Sequence, residues 1–380
     1  GDLRDLHLSL RRQRQMCIRD RRHGVASLAS QESSSPRLNR FDGMTGNLPE
    51  SSDAMQSRGM SPTALKEYAI CPFKFFAKHV LKVDPVDRSE FEIGLGVREI
   101  GNLLHQLFRE CLLALSEHGY YQQMKESSAE TISELLQSIF VGVFQHYEQS
   151  YPTGHPLVWE WQQEQLSGAV SHAIYQEFFN QDEDWISVGL EQPVKGIMPL
   201  LLDDHVCELS LSGRIDRIDW SPSQHTSRII DYKYKASPRS ILTSQALARE
   251  VVRCKELQPP LYFLLIEGGT LALPNYSKLG VLQGLSCSGV WFHYLNLITD
   301  SFGETETITS VPFTLDQWKS LKPQIEKSMK TLMHGIQRGE YFIVIGSHCQ
   351  ICDFRTICHR TQSPTRWRAE VARAQTKSHR

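Results

Sequence analysis

Between residues 187 and 235 the chain abandons helical periodicity for a period of two, and places acidic residues where a sheet face would collect them. Val188 to Gly196, Val206 to Leu211, Gly213 to Trp220 and Arg228 to Lys235 read as strands, with Ser221-Pro222-Ser223 as a turn. In Ile229-Ile230-Asp231-Tyr232-Lys233, side chains two apart share a face at about 6.5 to 7 Å. Asp231 and Lys233 therefore project together, while Ile230 and Tyr232 face the other way. Asp231 is the one acid in the chain followed two positions later by Lys. One strand earlier, Gly213-Arg214-Ile215-Asp216 precedes the turn, and Gly213 is expected to allow a bend or a close backbone approach. Two adjacent strands can thus bring Asp216 and Asp231 together. Such a pair repels itself unless protonated or bridged by a divalent cation, and oxygen ligands suit Mg²⁺ or Mn²⁺. A lysine alongside can orient a water or steady charge on a phosphate. The plain alternative is an exposed, salt-bridged strand face, with Asp216 paired to Arg214 or Arg217. Glu191, at a strand start before this hairpin, is a candidate extra acid.

The rest of the chain frames that sheet. Helical patterns cover roughly 62 to 81, 97 to 118, 128 to 149 and 158 to 179, with a Ser61-Pro62 start signal. Beyond the strands, helices are expected near 240 to 254 and 259 to 267, strands near 279 to 296 and 306 to 312, and an amphipathic helix from about 315 to 338. The fold class is α/β, a mixed central sheet flanked by helices. Residues 11 to 20 look like an in-frame translation of a transposase-type sequencing adapter, so residues 1 to 21 are set aside. Residues 22 to 58 read as linker, 59 to 363 as the main domain and 364 to 380 as a basic tail. Hydrophobic residues are 40%, charged residues 22%, and mean hydropathy is −0.34, which excludes a collagenous, fully disordered or polytopic membrane chain. The longest apolar stretches fall short of a membrane span and no signal peptide opens the chain, so a cytoplasmic location without membrane partners is expected. A net charge of −2 requires any nucleic-acid contact to be local.

Nine cysteines, an odd number, argue against a disulfide framework. Cys349, Cys352 and Cys358 form C-x₂-C-x₅-C and need a fourth thiolate for a closed metal site. Cys71 is the natural candidate, because Pro72 breaks the helix there and leaves a thiol at a bend. Spacing alone does not separate Zn²⁺ from an iron–sulfur cluster, and His348 and His359 keep a mixed zinc site open. Cys111, Cys207, Cys254 and Cys287 read as small buried apolar residues.

These motifs resemble the PD-(D/E)xK nuclease superfamily, in particular the RecB-like branch and the C-terminal nuclease domain of AddB-type helicase-nuclease subunits. The family order is Gly-x-x-x-His, Gly-x-x-Asp, Asp-x-Lys and Gln-x-x-x-Tyr. The chain has Gly101 to His105, Gly213 to Asp216, Asp231 to Lys233 and Gln258 to Tyr262, in that order. The resemblance implies a restriction-endonuclease-like sheet and a metal held by His105, Asp216, Asp231 and the carbonyl of Tyr232. Lys233 would position the attacking water, with Gln258 and Tyr262 steadying the site or the DNA. Pro259 disfavours α geometry at Gln258, so that motif is expected to start a helix. The resemblance also implies a 4Fe-4S cluster on Cys71, Cys349, Cys352 and Cys358, with Zn²⁺ as the alternative. That cluster would hold the N-terminal helices against the sheet.

The activity implied is Mg²⁺-dependent DNA exonuclease action in double-strand-break repair, on DNA that is single-stranded and fed by a helicase subunit or fused helicase domain. The alternatives are a stand-alone nuclease of the CRISPR-adaptation type and a catalytically silent iron–sulfur DNA-binding module. Local basic positions are Lys66, Lys74, Lys78 and Lys82, then Arg249, Arg253 and Lys255, then Arg366, Arg368, Arg373, Lys377 and Arg380, with Phe73, Phe75, Phe76 and Trp367 interleaved. Bases stack on aromatics in single-strand channels, and a hydrophobic core is the competing use of the phenylalanines. No phosphate-binding G-x-x-x-x-G-K-[ST] loop occurs in the sequence.

Overall fold

A computed structural model describes residues 3–48, 57–85, 93–118, 129–179, 185–202, 205–235, 240–267, 286–295 and 308–378. In chain order the elements are α1 (Leu3–Glu32), α2 (Pro62–Ile70), α3 (Pro72–Phe75), α4 (Val97–Glu117), α5 (Ala129–Ser150), α6 (Pro156–Phe179), β1 (Ile186–Leu202), β2 (His205–Ser221), β3 (Thr226–Tyr234), α7 (Ser244–Val252), α8 (Gln258–Glu267), β4 (Ser286–Leu295), β5 (Ile308–Thr314), α9 (Leu315–Gln337) and α10 (Ser363–Ser378). They divide into two compact units: one of Met55–Lys66 with Val86–Lys330, the other of Gly1–Ala54, Glu67–Pro85 and Thr331–Arg380. The division cuts through the stretch 59 to 363 that the sequence presents as one domain.

The first of these units holds a five-stranded sheet in the order β1-β2-β3-β4-β5. Its pairings are antiparallel except for the parallel pair β3–β4, whose connection contains α7 and α8. The β2 strand runs unbroken where the sequence pattern presents two, because Gly213 stays in the ladder opposite Val194. A Cβ there would meet Pro62 and Val194 at 3.7 Å, ordinary contact, so no close approach demands glycine. The α4 helix buries Ile100, Leu103, Leu104, Leu107, Phe108, Cys111, Leu112 and Leu115, a stripe at the i, i+3, i+4 spacing of an amphipathic helix. With α5 and α6 it forms one core that includes Ile230, Tyr232, Leu295 and Ile308 from the sheet. Phe108 stacks on Tyr232 with ring centres 4.1 Å apart. Cys254 and Cys287 are buried as small apolar residues, like Cys111. The Cys207 side chain lies outside the described residues.

Alternation along β2 and β3 sends charge to that helical side as well. Arg217 and Asp219 are fully buried. Arg217 donates to both Asp219 oxygens at 2.6 and 2.7 Å, to Glu177 of α6 at 2.8 Å and to the Tyr232 hydroxyl at 3.1 Å. Arg228 donates to Asp219 at 3.0 Å and lies over the Trp185 ring. Two guanidinium groups and two carboxylates thus cancel in a water-poor setting.

In the second unit, α2 stops at Ile70 because Cys71, ahead of Pro72, takes an extended conformation. One helix over 62 to 81 is therefore replaced by α2, α3 and a π turn over Phe76–Val80. Phe75 and Phe76 stack on Tyr341, so these aromatics serve a core. Described residues within the stretches 22 to 58 and 364 to 380 pair with each other. Buried Arg368 in α10 grips buried Asp42 through two hydrogen bonds of 2.8 and 2.9 Å, and Asn39 caps the turn that carries Asp42. The helix α1 also runs through the adapter-like residues. The side chains of Arg373, Lys377 and Arg380 lie outside the described residues.

Glu67 in this unit faces Lys78, His79 and Lys74 at 2.8, 2.6 and 3.4 Å. Burial opposes its charge, but the His79 and Lys78 contacts and the Lys74 charge outweigh it and hold the carboxyl at about 2. A depressed acid stabilises the fold above its unfolded value and loses that contribution as pH falls through the folded one. Glu67→Gln is accordingly expected to unfold at a lower temperature than the parent near pH 7, with the gap closing as pH falls from about 4.5 to about 2, read by thermal melts across that window.

Candidate active site

The β2–β3 ladder ends at Arg217↔Ile230. One step on, Asp216 stands opposite Asp231, and the Tyr232 N–H that would continue the ladder donates instead to Asp216 Oδ2 at 2.8 Å. On the other side of β2, Leu190↔Arg217 and Gln192↔Ile215 bracket Glu191, which therefore lies across from Asp216. Glu191 has φ +46°, the left-handed region that non-glycine residues rarely enter. Three acids from three neighbouring strands thus form a lateral row.

His105, on the α4 turn that carries Phe108, approaches this row from the helical side. Its Nδ1 lies 3.2 Å from Asp216 Oδ2 and 3.4 Å from Glu191 Oε1. Among the described residues, His105, Glu191 and Asp216 are the group whose ligand atoms fall close enough together to share a metal ion. Asp231 stands on the far side of Asp216 and is engaged elsewhere. Its Oδ2 pairs with Lys233 Nζ at 2.5 Å and its Oδ1 accepts from Gln258 Nε2 at 2.7 Å. Lys233 also donates to Gln258 Oε1 at 2.6 Å, and its Nζ sits over the Phe292 ring. Gln258 opens α8, so Tyr262 lies one turn further on. Gln258 Nε2 donates to Tyr262 Oη at 3.3 Å, and that hydroxyl donates to the Arg214 carbonyl at 3.0 Å.

His105, Asp216, Asp231, Lys233, Gln258 and Tyr262 thus meet with Glu191 at one end of the β2–β3 pair, in two linked groups. One is His105, Asp216 and Glu191; the other is Asp231, Lys233, Gln258 and Tyr262. Gly101 has open space where a Cβ would go, so the first motif needs its histidine for this contact but not its glycine for packing. The sequence offers Glu191 as an extra acid but does not show its partners. The signal is its position across from Asp216, which becomes visible only when the hairpin register is known.

Electrostatics mark the place as short of positive charge. Burial and then the neighbouring Asp231 push the Asp216 carboxyl up to about 8, against the pull of His105, Lys233 and the Tyr232 N–H. Burial pulls His105 down, but Glu191, Asp216 and Asp231 together raise it. Burial likewise opposes the Lys233 charge, and Asp231, Glu256 and Asp216 outweigh it. A divalent cation among these oxygens and the imidazole would relieve the repulsion, so the donor set fits such an ion.

In the other unit, Cys71, Cys349, Cys352 and Cys358 line a single pocket with Phe73, His348 and Arg355. Burial first, then the neighbouring Cys71, Cys352 and Cys349, push the Cys358 thiol up to about 11. Among the described residues no three metal-ligating atoms of this pocket lie within 4.8 Å of one another. Four cysteines in one pocket are a donor set that both zinc and an iron–sulfur cluster accept, so these residues fit either group.

The chain is 26% identical over 184 residues to an ATP-dependent helicase/deoxyribonuclease subunit from Thermoanaerobacter sp. (strain X514), a match covering 46% of this chain and 15% of the relative. The same figures hold for the identically named protein from Thermoanaerobacter pseudethanolicus (strain ATCC 33223 / 39E). The chain thus matches a small part of these relatives' length. Among solved structures, a candidate exonuclease from Eubacterium rectale superposes with a TM-score of 0.42 at 10% identity, covering 80% of this chain and 90% of that one. No helix among the described residues is long and apolar enough to cross a membrane. The model of the PD-(D/E)XK nuclease superfamily matches residues 59–359, which take in the acid row, Lys233 and all four pocket cysteines, and the chain belongs to that superfamily.

Proposed function

We propose that the protein is a cytoplasmic, Mg²⁺- or Mn²⁺-dependent DNA exonuclease that works on single strands delivered by a helicase, in double-strand-break repair. The observation that carries this reading is the meeting of Asp216, Asp231, Lys233 and His105 at one strand end. His105, Asp216 and Asp231 would hold the ion, with Glu191 beside them and the Tyr232 carbonyl at the same strand end. When bound, the ion supplies Lewis-acid polarisation of a phosphate and lowers the pKa of water. Lys233, fixed by Asp231 and Gln258, steadies negative charge that grows on the phosphate and orients the attacking water. Gln258 holds Lys233 and Asp231 at once, and Tyr262 keeps Gln258 in place, so both act as positioning residues. Helicase partnership rests on the partial likeness to helicase/deoxyribonuclease subunits, and the preference for single strands on the sequence resemblance. The test is degradation of end-labelled single-stranded DNA. Rapid shortening with Mg²⁺ and none with EDTA is expected, and equal, absent activity in both would remove the proposal.

For the cysteine pocket the reading is a 4Fe-4S cluster with a structural role. The lining of one pocket by the four cysteines and the sequence resemblance support it, with zinc as the alternative. Protein purified without oxygen is expected to contain about four iron and four sulfide per chain, in the ratio such a cluster requires. Cys71→Ser is expected to lose most of that iron together with the visible absorption. Stoichiometric zinc without sulfide would reassign the pocket.

A further inference from the structure

Glu191 and Asp216 form the floor of an open cleft of about 590 Å³. One wall is the polar stripe of α4, where Asn102, Gln106 and Arg109 flank His105 at the i, i+3, i+4, i+7 spacing of one helix face. The opposite wall is strand, and it carries Arg214. Continuing the β2–β3 register sets Arg214 opposite Lys233, two residues along β2 from Asp216 and so about 6.5 to 7 Å from it. The Arg214 side chain is 67% exposed, and its Nη1 lies 3.7 Å from Glu191 Oε2. A pair that long and that wet contributes little and exchanges readily. Arg109 faces the same cleft and touches its neighbour Glu110 at the surface.

A floor that carries the Glu191 and Asp216 carboxylates repels a polyanion, and the two arginines of this cleft offset the repulsion. A guanidinium takes a phosphate through two parallel hydrogen bonds, a better partner than the distant Glu191 oxygen. The position of Arg214, one row removed from Asp216, suits the next phosphate of a strand better than the phosphate at the floor. The side-chain amides of Asn102 and Gln106 can bond sugar or phosphate oxygens, contacts that fix a strand without reading its bases.

We propose that Arg214, faced by Arg109, is a subsite for the phosphate adjacent to the one being cut, so that the cleft holds a phosphodiester strand independently of sequence. This rests on the nuclease reading and extends it to a residue that lies between the glycine and the aspartate of the Gly-x-x-Asp motif.

The experiment measures binding of an end-labelled single-stranded oligodeoxynucleotide by fluorescence anisotropy, with Ca²⁺ in place of Mg²⁺ and the oligonucleotide checked for cleavage. Arg214→Ala is expected to bind about tenfold more weakly. Its plot of log affinity against log salt should be shallower by about 0.7, the change for one lost phosphate contact on a single strand. Arg214→Lys keeps the salt slope and regains part of the affinity. In a series of oligonucleotides each carrying one neutral methylphosphonate, one position should weaken the parent protein and leave Arg214→Ala unaffected, the signature of a direct pair. Circular dichroism and the melting temperature verify that each variant is folded.

Equal affinity and slope for parent and Arg214→Ala overturns the inference. So does a methylphosphonate series that costs both proteins alike, or an Arg214→Ala change reproduced by Lys319→Ala, which removes an exposed charge from α9. If the parent cuts DNA while these comparisons fail, the subsite alone is wrong. If the parent neither binds nor cuts DNA, the nuclease reading falls and takes the subsite with it.

Discussion

Asp231→Asn and Lys233→Ala are each expected to lower Mg²⁺-dependent DNA degradation by about 10² to 10⁴-fold, the range that loss of one positioned proton-transfer or charge-stabilising group produces. The two should not simply multiply. Asp231 Oδ2 and Lys233 Nζ are 2.5 Å apart and share Gln258 as a partner, so removing either one disarms the other. The double variant is therefore expected to be little worse than the poorer single one. Gln258→Ala should cost less, since it touches both groups and replaces neither. Single-turnover rates with end-labelled DNA, with folding verified by circular dichroism, give the comparison. Cleavage by Asp231→Asn at the parental rate would remove Asp231 from the site.

Arg217→Met carries the largest expected loss of stability. It leaves Asp219 and Glu177 buried with Arg228 as their remaining cation, and opening one side of a buried ion pair typically costs about 3 to 5 kcal/mol. Arg228→Met should cost less, because that guanidinium sits nearer solvent and half of its role is stacking on Trp185. Replacing Arg217 and Asp219 together by apolar residues should recover part of the loss, since well-packed apolar groups can substitute for a buried pair. Urea denaturation of the three variants would show the order. Equal stability of Arg217→Met and the parent would mean that water reaches the cluster.

The site was legible in the sequence to the extent that it depends on periods and order. Alternation put Asp231 and Lys233 on one side and Tyr232 on the other, and the structure keeps them so, with Tyr232 on Phe108 in the helical core. The break at Cys71 follows from Pro72, and the start of α8 at Gln258 follows from Pro259. The sequence marked Glu191 as a candidate extra acid, but the partners it meets depend on pairing register, which was not legible. Glu191 enters the site because β1 lies antiparallel to β2 in one frame, aided by a left-handed backbone that no propensity foretells. The Asp42–Arg368 pair joins residues more than 300 positions apart, and a pattern scan of either segment sees only polar sequence. The side taken by Arg217 was also hidden in plain alternation, because a charged residue on an inward position reads as an error until its partners are known.

Because side chains on a strand alternate, sliding β2 by a single residue against its neighbours would carry Arg217 to the floor of the cleft and bury Asp216 against Phe108 and the helices. The misthreaded hairpin would strand a lone carboxylate in oil and leave Glu177 with no cation from β2. The salt cluster behind the sheet thus acts as a lock on threading: it makes the neighbouring frame so costly that the chemistry in front is assembled in one alignment only.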